Sequence, residues 1–210
     1  MNPLLPFIKI RRELGFMEKF PDSRMTVATA LEGLFNKLVT ALSPPETPPA
    51  SIVFSADSFD ESLAELEVHQ EDVFIGQLAL YKNRPNVKIC HMRHYATRDA
   101  AHWHALFAET DHEGNVIRII ATDSRIDSKS QGITAQRDIT KYSLSHRLNI
   151  TFIAGGQQPM GIKICWLHAL ANLASLAASG KVYKQQTSNL GTELSELIEK
   201  RKKRRAFFSH

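Results

Sequence analysis

The sequence has few cysteines, no long apolar run and no internal repeat. Its two cysteines, Cys90 and Cys165, are too few for a disulfide scaffold or a zinc site and indicate a reducing compartment. No apolar run of about 18 residues occurs, and no small-residue cleavage site follows Arg11 and Arg12, so neither a transmembrane helix nor a secretory signal is predicted. With 210 residues, 43% hydrophobic and 23% charged, the composition is that of one globular domain rather than a disordered or coiled-coil protein.

Positive charge is concentrated at one end of the chain. The formal net charge is +4, but six of the 26 basic residues form the run from Lys200 to Arg205. Without that run, 20 basic residues stand against 22 acidic ones, so the rest of the chain is slightly acidic. The basicity therefore does not predict that the whole domain binds nucleic acid.

Hydrophobic periodicity predicts a mixture of helices and strands. Helices are expected over 22–42, with an Asp22/Ser23 cap, over about 60–66, over 131–147, over 163–178 and over 190–205. Strands are expected over 52–54, 87–92, 102–108 and 116–121, with a buried strand over 150–154, and the segment from residue 73 fits either a helix or a strand. Four prolines within 44–49 predict a linker or an exposed loop there. These elements indicate an α+β fold with a small mixed or antiparallel sheet flanked by helices.

Four sequence positions carry the predicted chemistry. His102 begins a predicted strand, Asp123 ends the neighbouring strand, and Cys165 opens the most apolar helix after a loop that contains Gln157 and Gln158. A thiolate at a helix N-terminus is stabilised by unpaired backbone N–H groups, an imidazole takes the proton of the thiol, and a carboxylate orients the imidazole. Either glutamine is a candidate donor to an oxyanion, beside the backbone N–H of Cys165.

Other residues compete for these roles. His104 shares a strand face with His102 and is an alternative base. Asp127 and Glu109 are alternative acids, although Glu109 falls at the far end of its strand from His102. Asp123, which ends the strand next to that of His102, is the preferred acid.

Three of the candidate features also have purely structural interpretations. A free cysteine in an apolar helix is usually a small hydrophobic residue, so Cys165 acquires a predicted role only from its combination with the other positions. Cys90 lies in an apolar run and is predicted to belong to the core. The five histidines within residues 91–112 lack the spacing of metal ligands, so no metal site is predicted.

The order of these motifs resembles the Ulp and adenovirus-protease clan of cysteine enzymes and, within it, the YopJ family of bacterial type III effectors. The resemblance covers residues 20 to 185 and rests on four segments, namely Ser23-Arg24-Met25, His102-Trp103, Asp123-Ser124 and Gln157-Gln158-Pro159 ahead of Cys165. The chain has Trp166 where that family usually has glycine. Gln158 precedes Cys165 by seven positions, one more than is common, which leaves open which glutamine lines the oxyanion hole.

The resemblance implies a protein acetyltransferase with a Cys-His-Asp triad. Cys165 would accept the acetyl group of acetyl-CoA, His102 would move the proton, Asp123 would orient His102, and a Ser, Thr or Lys of a host protein would be the final acceptor. It also implies secretion into a host cell, action in the host cytoplasm or nucleus, and inositol hexakisphosphate as an activator. We expect an N-terminal arm over 1–20, a catalytic domain over 21–185 and a C-terminal helix with the basic run over 186–210.

Two other functions stay open. A deubiquitinase or ubiquitin-like-protein protease of the same clan would use the same residues, because isopeptide cleavage also passes through an acyl-thioester and an oxyanion. A catalytically inactive module that binds a partner or a polyanion is favoured by Trp166 and by the 45 residues that follow Cys165, fewer than YopJ-like enzymes have. The short C-terminal part also fits a truncated chain.

The basic run has three interpretations, and its members are Lys200, Arg201, Lys202, Lys203, Arg204 and Arg205. Its charge complements the negative end of a helix. Alternatively, it binds a polyanion such as inositol hexakisphosphate, an anionic membrane surface or nucleic acid through phosphate contacts. The third interpretation is a nuclear localisation signal. Arg24 and Lys163 are further candidates for contacts with an inositol phosphate.

Overall fold

The computed structural model describes residues 27–44, 51–60, 72–96, 101–124, 131–155, 164–183 and 190–208. The helices are α1 (Val27–Leu42), α2 (Val73–Tyr81), α3 (Gln131–His146), α4 (Cys165–Ser179) and α5 (Leu190–Phe208). The strands are β1 (Ser51–Asp60), β2 (Val87–Ala96), β3 (Ala101–Thr110), β4 (Val116–Asp123) and β5 (Ile150–Ala154). None of the described helices is both long and apolar enough to cross a membrane.

The five strands form one sheet in chain order. The outer pairs, β1 with β2 and β4 with β5, are parallel, whereas β2, β3 and β4 run antiparallel to their neighbours. The β3–β4 turn is closed by Asp111, whose Oδ1 accepts hydrogen bonds from the backbone N–H of Glu113 at 2.8 Å and of Asn115 at 2.9 Å. The structure therefore confirms the predicted α+β fold with a small mixed sheet.

The larger core lies between one face of the sheet and helices α1, α4 and α5. Apolar residues of α1 recur at steps of three and four, so one face of the helix is buried, and Phe35 stacks on Phe54 of β1 with ring centroids 4.6 Å apart. Helix α4 lies between α1 and the sheet, and every residue from Trp166 to Ala178 is buried. Because α4 is covered by α1 on one side and by the sheet on the other, it is the most apolar helix of the chain.

The opposite face of the sheet carries a smaller core. Phe74 of α2 and Ile139 and Tyr142 of α3 pack there against Leu106 of β3 and Ala121 of β4. The segment from residue 73, which fits a helix or a strand by its sequence, is a helix capped by Asp72, whose Oδ1 accepts from the N–H of Ile75 at 3.0 Å.

Two strand predictions need correction. Strand β1 is longer than the predicted 52–54, because it pairs in parallel with β2 over its whole length from Ser51 to Asp60. Strand β5 is not buried: it is an edge strand with β4 as its neighbour in the sheet, and Thr151 and Ala154 are exposed. The predicted Asp22/Ser23 cap, the predicted helix beyond residue 60 and most of the proline-rich segment lie outside the described residues.

The C-terminal end of α4 is held by the side chain of Lys88 and by the backbone of Gly180. The Nζ of Lys88 donates to the carbonyl of Ala177 at 2.6 Å, and the N–H of Gly180, at a φ of 71°, donates to the carbonyl of Leu176 at 2.9 Å. Positive charge at this end complements the helix dipole. The helix that begins with Cys165 is thereby anchored at its far end.

Candidate functional site

The β3–β4 hairpin brings His102 and Asp123 together. His102 lies at the start of β3 and Asp123 at the end of β4, and because the strands are antiparallel, both fall at the same end of the sheet. The Nε2 of His102 donates to the Oδ1 of Asp123 at 2.6 Å, and both side chains are buried. The separation of 21 residues in sequence is thus spanned by one hairpin.

Cys165 is the first residue of α4 and is partly exposed. The carbonyl of Ile164 accepts from the N–H of Leu167 at 3.0 Å and of His168 at 3.2 Å, which starts the helix immediately before the cysteine. The thiol hydrogen-bonds to the side chain of His102. The structure therefore brings Cys165, His102 and Asp123 into one hydrogen-bonded chain, in the order expected of a nucleophile, a base and an acid.

The charge of His102 is set by these two partners. Burial by itself lowers the pKa of His102, but hydrogen bonds to Asp123 and Cys165, and the negative charges of these groups, outweigh it and raise the pKa to about 10. His102 is consequently an imidazolium at neutral pH. A cation in this position stabilises a thiolate at Cys165.

His104 lies on the same strand face but has a different environment. Its side chain is fully buried, and burial lowers its pKa to about 3, helped by the positive charge of Arg93 and opposed by Asp123. His104 is therefore neutral and does not take up a proton near neutral pH. The geometry favours His102 over His104 as the base, since the hydrogen bonds to Asp123 and Cys165 belong to His102.

Of the two alternative acids, the structure describes only Glu109, which does not lie at this end of the sheet. Glu109 lies at the far end of β3, where its Oε2 accepts from the Nε of Arg118 at 2.7 Å. Asp127, Gln157 and Gln158 lie outside the described residues.

The remaining predicted site residues are the basic ones that were expected to contact a polyanion. Lys200 is exposed on α5, while the side chains of residues 201–205 and the whole of Arg24 and Lys163 lie outside the described part. Within the described residues, no group of three or more His, Cys, Asp and Glu side chains is arranged to hold a metal ion.

Trp166 does not extend into solvent beside Cys165. Its side chain is 4% exposed and belongs to the core cluster that α4 shares with α1 and the sheet. The Trp166 side chain is therefore used for packing.

Helix α4 contains two buried polar residues near the site that the sequence motifs did not predict. His168 and Asn172 follow Cys165 by three and seven positions, so all three lie on one helix face, and both are 1% exposed. Burial lowers the pKa of His168 to about 4, while Asp123 raises it and His102 lowers it. Their spacing from Cys165 was a usable signal, because polar residues at those steps stand out in an otherwise apolar helix.

A second buried polar cluster continues from His104 across the sheet. Asp57 of β1, Arg93 of β2 and His104 of β3 are directly opposite one another in the strand register. The Nε2 of His91 lies 3.2 Å from the Oδ1 of Asp57, and the Nη1 of Arg93 lies 4.0 Å from the same oxygen. Burial raises the pKa of Asp57, but His91 and Arg93 outweigh that effect and hold it below its usual value.

Comparisons with known proteins identify similar folds. No family model matches the sequence, and no curated protein matches it either. Among solved structures, the Ulp1 protease domain in complex with Smt3, the yeast ortholog of SUMO, is 14% identical with a TM-score of 0.43, over 80% of this chain and 72% of that one. The Legionella pneumophila effector RavZ is 13% identical with a TM-score of 0.39, over 59% and 42%. AvrA with IP6 and CoA is 14% identical with a TM-score of 0.40, over 84% and 60%.

Proposed function

We propose that this chain is a cysteine enzyme that carries an acyl group on Cys165 and acts as a protein acetyltransferase. The observation that supports acyl transfer is the hydrogen-bonded chain from Cys165 through the cationic His102 to the buried Asp123. The acetyl donor and the protein acceptor rest on the resemblance of the sequence motifs to the YopJ family. Secretion into a host cell and action there belong to the same proposal.

The first half of the reaction forms an acetyl-enzyme. The Cys165 thiolate attacks the thioester carbonyl of acetyl-CoA, and a new S–C bond forms while the carbonyl oxygen becomes an oxyanion. The first N–H groups of a helix have no partner within the helix, so the backbone N–H of Cys165 is suited to stabilise this charge. When the oxyanion collapses, the bond to the sulfur of coenzyme A breaks, and that sulfur takes the proton of His102.

The second half transfers the acetyl group to the acceptor. His102, now neutral, removes the proton from a Ser or Thr hydroxyl or a Lys amine as it attacks the acetyl-Cys165 carbonyl. The S–C bond then breaks and the Cys165 thiolate is regenerated beside the His102 imidazolium. Asp123 holds the imidazole ring in one orientation in both halves, since its Oδ1 remains bound to Nε2.

Intact-protein mass spectrometry tests this function. The wild type, Cys165→Ala and Cys90→Ala are each mixed with acetyl-CoA, with and without inositol hexakisphosphate. We expect one acetyl group on the wild type and on Cys90→Ala, because Cys90 is fully buried, and none on Cys165→Ala. The arm with inositol hexakisphosphate tests the predicted activation by a polyanion.

The same variants separate the acetyltransferase from a ubiquitin-like-protein protease. If the wild type gains no acetyl group in either arm, the acetyltransferase function is wrong. Labelling of Cys165 by a ubiquitin-tail electrophile in that case assigns the site to a protease. Absence of both products assigns the chain to a binding module.

A further inference from the structure

Helix α4 carries a polar stripe on a single face. Its polar residues recur at alternating steps of three and four, namely Cys165, His168, Asn172, Ser175 and Ser179. Such spacing keeps side chains on one side of a helix. The stripe begins at the candidate nucleophile and continues into the interior, where His168 and Asn172 are 1% exposed.

The side chain of Asn172 lies in space that Gly155 leaves open. A Cβ at Gly155 would lie 2.4 Å from the Nδ2 of Asn172, 3.0 Å from its Oδ1 and 3.0 Å from the Oγ1 of Thr122. Only a residue without a side chain therefore fits at position 155 while Asn172 keeps this conformation. Gly155 in turn donates its N–H to the carbonyl of Asp123 at 3.0 Å.

Thr122 directs its side chain toward α4. It lies two positions after Ile120, which belongs to the core shared with α4, and residues two apart on a strand share a face. The Oγ1 of Thr122 and the Nδ2 of Asn172 are both buried, and neither has a hydrogen-bond partner among the described residues. Since both lie within 3.0 Å of the Cβ position of Gly155, they are neighbours.

We propose that Asn172 is a positioning residue for the Cys165–His102–Asp123 site and that it acts through Thr122. Its side chain packs beside that of Thr122, the residue before Asp123, and so links the strand that carries the acid to the helix that carries the nucleophile. Buried polar groups are costly when unpaired, and a small rotation of the Asn172 side chain that pairs its amide with the Thr122 hydroxyl would remove both penalties. The inference rests on the proposed function in taking Cys165 as the nucleophile.

A double-mutant cycle tests this link. Asn172→Leu and Thr122→Val remove the two polar groups with little change of volume, singly and together, and Ser175→Ala is the matched control from the same stripe. The measurement is the rate of Cys165 alkylation by iodoacetamide from pH 5 to pH 9, with thermal unfolding of each variant beside it. The alkylation profile reports thiolate formation and needs no acyl donor or acceptor.

If Asn172 and Thr122 position the site together, each single variant should lower the rate of Cys165 alkylation at pH 6 by about tenfold or more, because small displacements of catalytic groups have large effects. We expect the double variant to lose no more than either single variant, because paired residues are not additive. Ser175→Ala should keep the wild-type profile.

Two results would overturn the inference. One is additive losses in the double variant, and the other is a wild-type alkylation profile in folded single variants with lowered thermal stability. Neither result affects the proposed function. A wild type in which Cys165 has no reactivity at pH 6 contradicts the proposed function instead, whatever the variants do.

Discussion

At the scale of single residues, the site depends on which of three neighbouring histidines carries charge. His102, His104 and His168 are all buried, and burial alone lowers the pKa of each. Only His102 has hydrogen bonds to groups that become anionic, and these reverse the effect of burial. The proton is therefore localised on the imidazole that hydrogen-bonds to Cys165.

An NMR titration of His102 tests this assignment. The wild type should titrate near pH 10, because Asp123 and Cys165 together raise the pKa of His102. In the double variant Asp123→Asn/Cys165→Ser both anions are absent, so burial should leave the His102 pKa below 6.5. Glu109→Gln is the control, because that carboxylate lies at the far end of β3. A pKa of His102 that is the same in all three proteins contradicts the assignment.

Sequence reasoning located His102, Asp123 and Cys165 because each lies at the end of a regular element. Element ends are readable from periodicity and turn residues, and the hairpin turn of residues 111–115 joins two strands that pair antiparallel. His168 and Asn172 were missed, because their role depends on what packs against the polar face of α4. That packing is a property of the tertiary fold and leaves no local pattern except the spacing itself.

At the scale of elements, the turn of the β3–β4 hairpin controls the register that brings the site together. Gly114 has a φ of 88°, and a Cβ there would lie 2.4 Å from the backbone carbon of Asn83. Only glycine adopts this conformation without strain. By contrast, Gly33 lies exposed within α1 with nothing within 4 Å of its Cβ position.

The two glycines predict opposite effects of the same substitution. Gly114→Ala should lower the free energy of unfolding by about 2 kcal/mol through backbone strain. Gly33→Ala should raise it by about 1 kcal/mol, since alanine favours a helix more than glycine does. Urea unfolding of both variants beside the wild type measures the difference. Equal shifts in one direction would show that the turn does not constrain Gly114.

The elements also show where periodicity is insufficient. The apolar run over residues 150–154 predicted a buried strand, yet β5 lies at the edge of the sheet, and its residues Thr151 and Ala154 are exposed. Burial of an apolar strand depends on its position in the sheet, and strand order is set by contacts between distant segments. The length of β1 was underestimated for a similar reason, because its second half, which includes Asp57, is stabilised by pairing with β2.

At the scale of the whole molecule, the buried histidines predict how stability depends on pH. His104 and His168 have folded-state pKa values lowered from 6.5 to about 3 and about 4, so unfolding takes up protons below pH 6.5. Stability is consequently lost as the pH falls, at about 1.4 kcal/mol per pH unit for each histidine. His102 has a raised pKa, so its contribution is present below pH 6.5 and is lost as the pH rises through about 10.

Denaturant unfolding at several pH values measures this dependence. The free energy of unfolding should be greatest near pH 6.5 and should fall on both sides, because His104 and His168 take up protons on unfolding below that pH and His102 releases its proton on unfolding above it. His168→Leu should give a shallower decline between pH 6.5 and pH 4, because one of the two histidines that take up protons is absent. If the variant and the wild type lose stability with the same slope, His168 is not a buried neutral histidine.

The central claim is that His102 holds Cys165 as a reactive thiolate, and iodoacetamide alkylation at pH 6 tests it most directly. Wild type and His102→Ala are compared by intact mass in a Cys90→Ala background, so that Cys165 is the single cysteine of the 210 residues. The account predicts modification of Cys165 in the wild type at a rate at least about tenfold above that of His102→Ala, because an ordinary thiol with a pKa of about 8.5 is protonated at pH 6. Equal rates in the two folded proteins would contradict it.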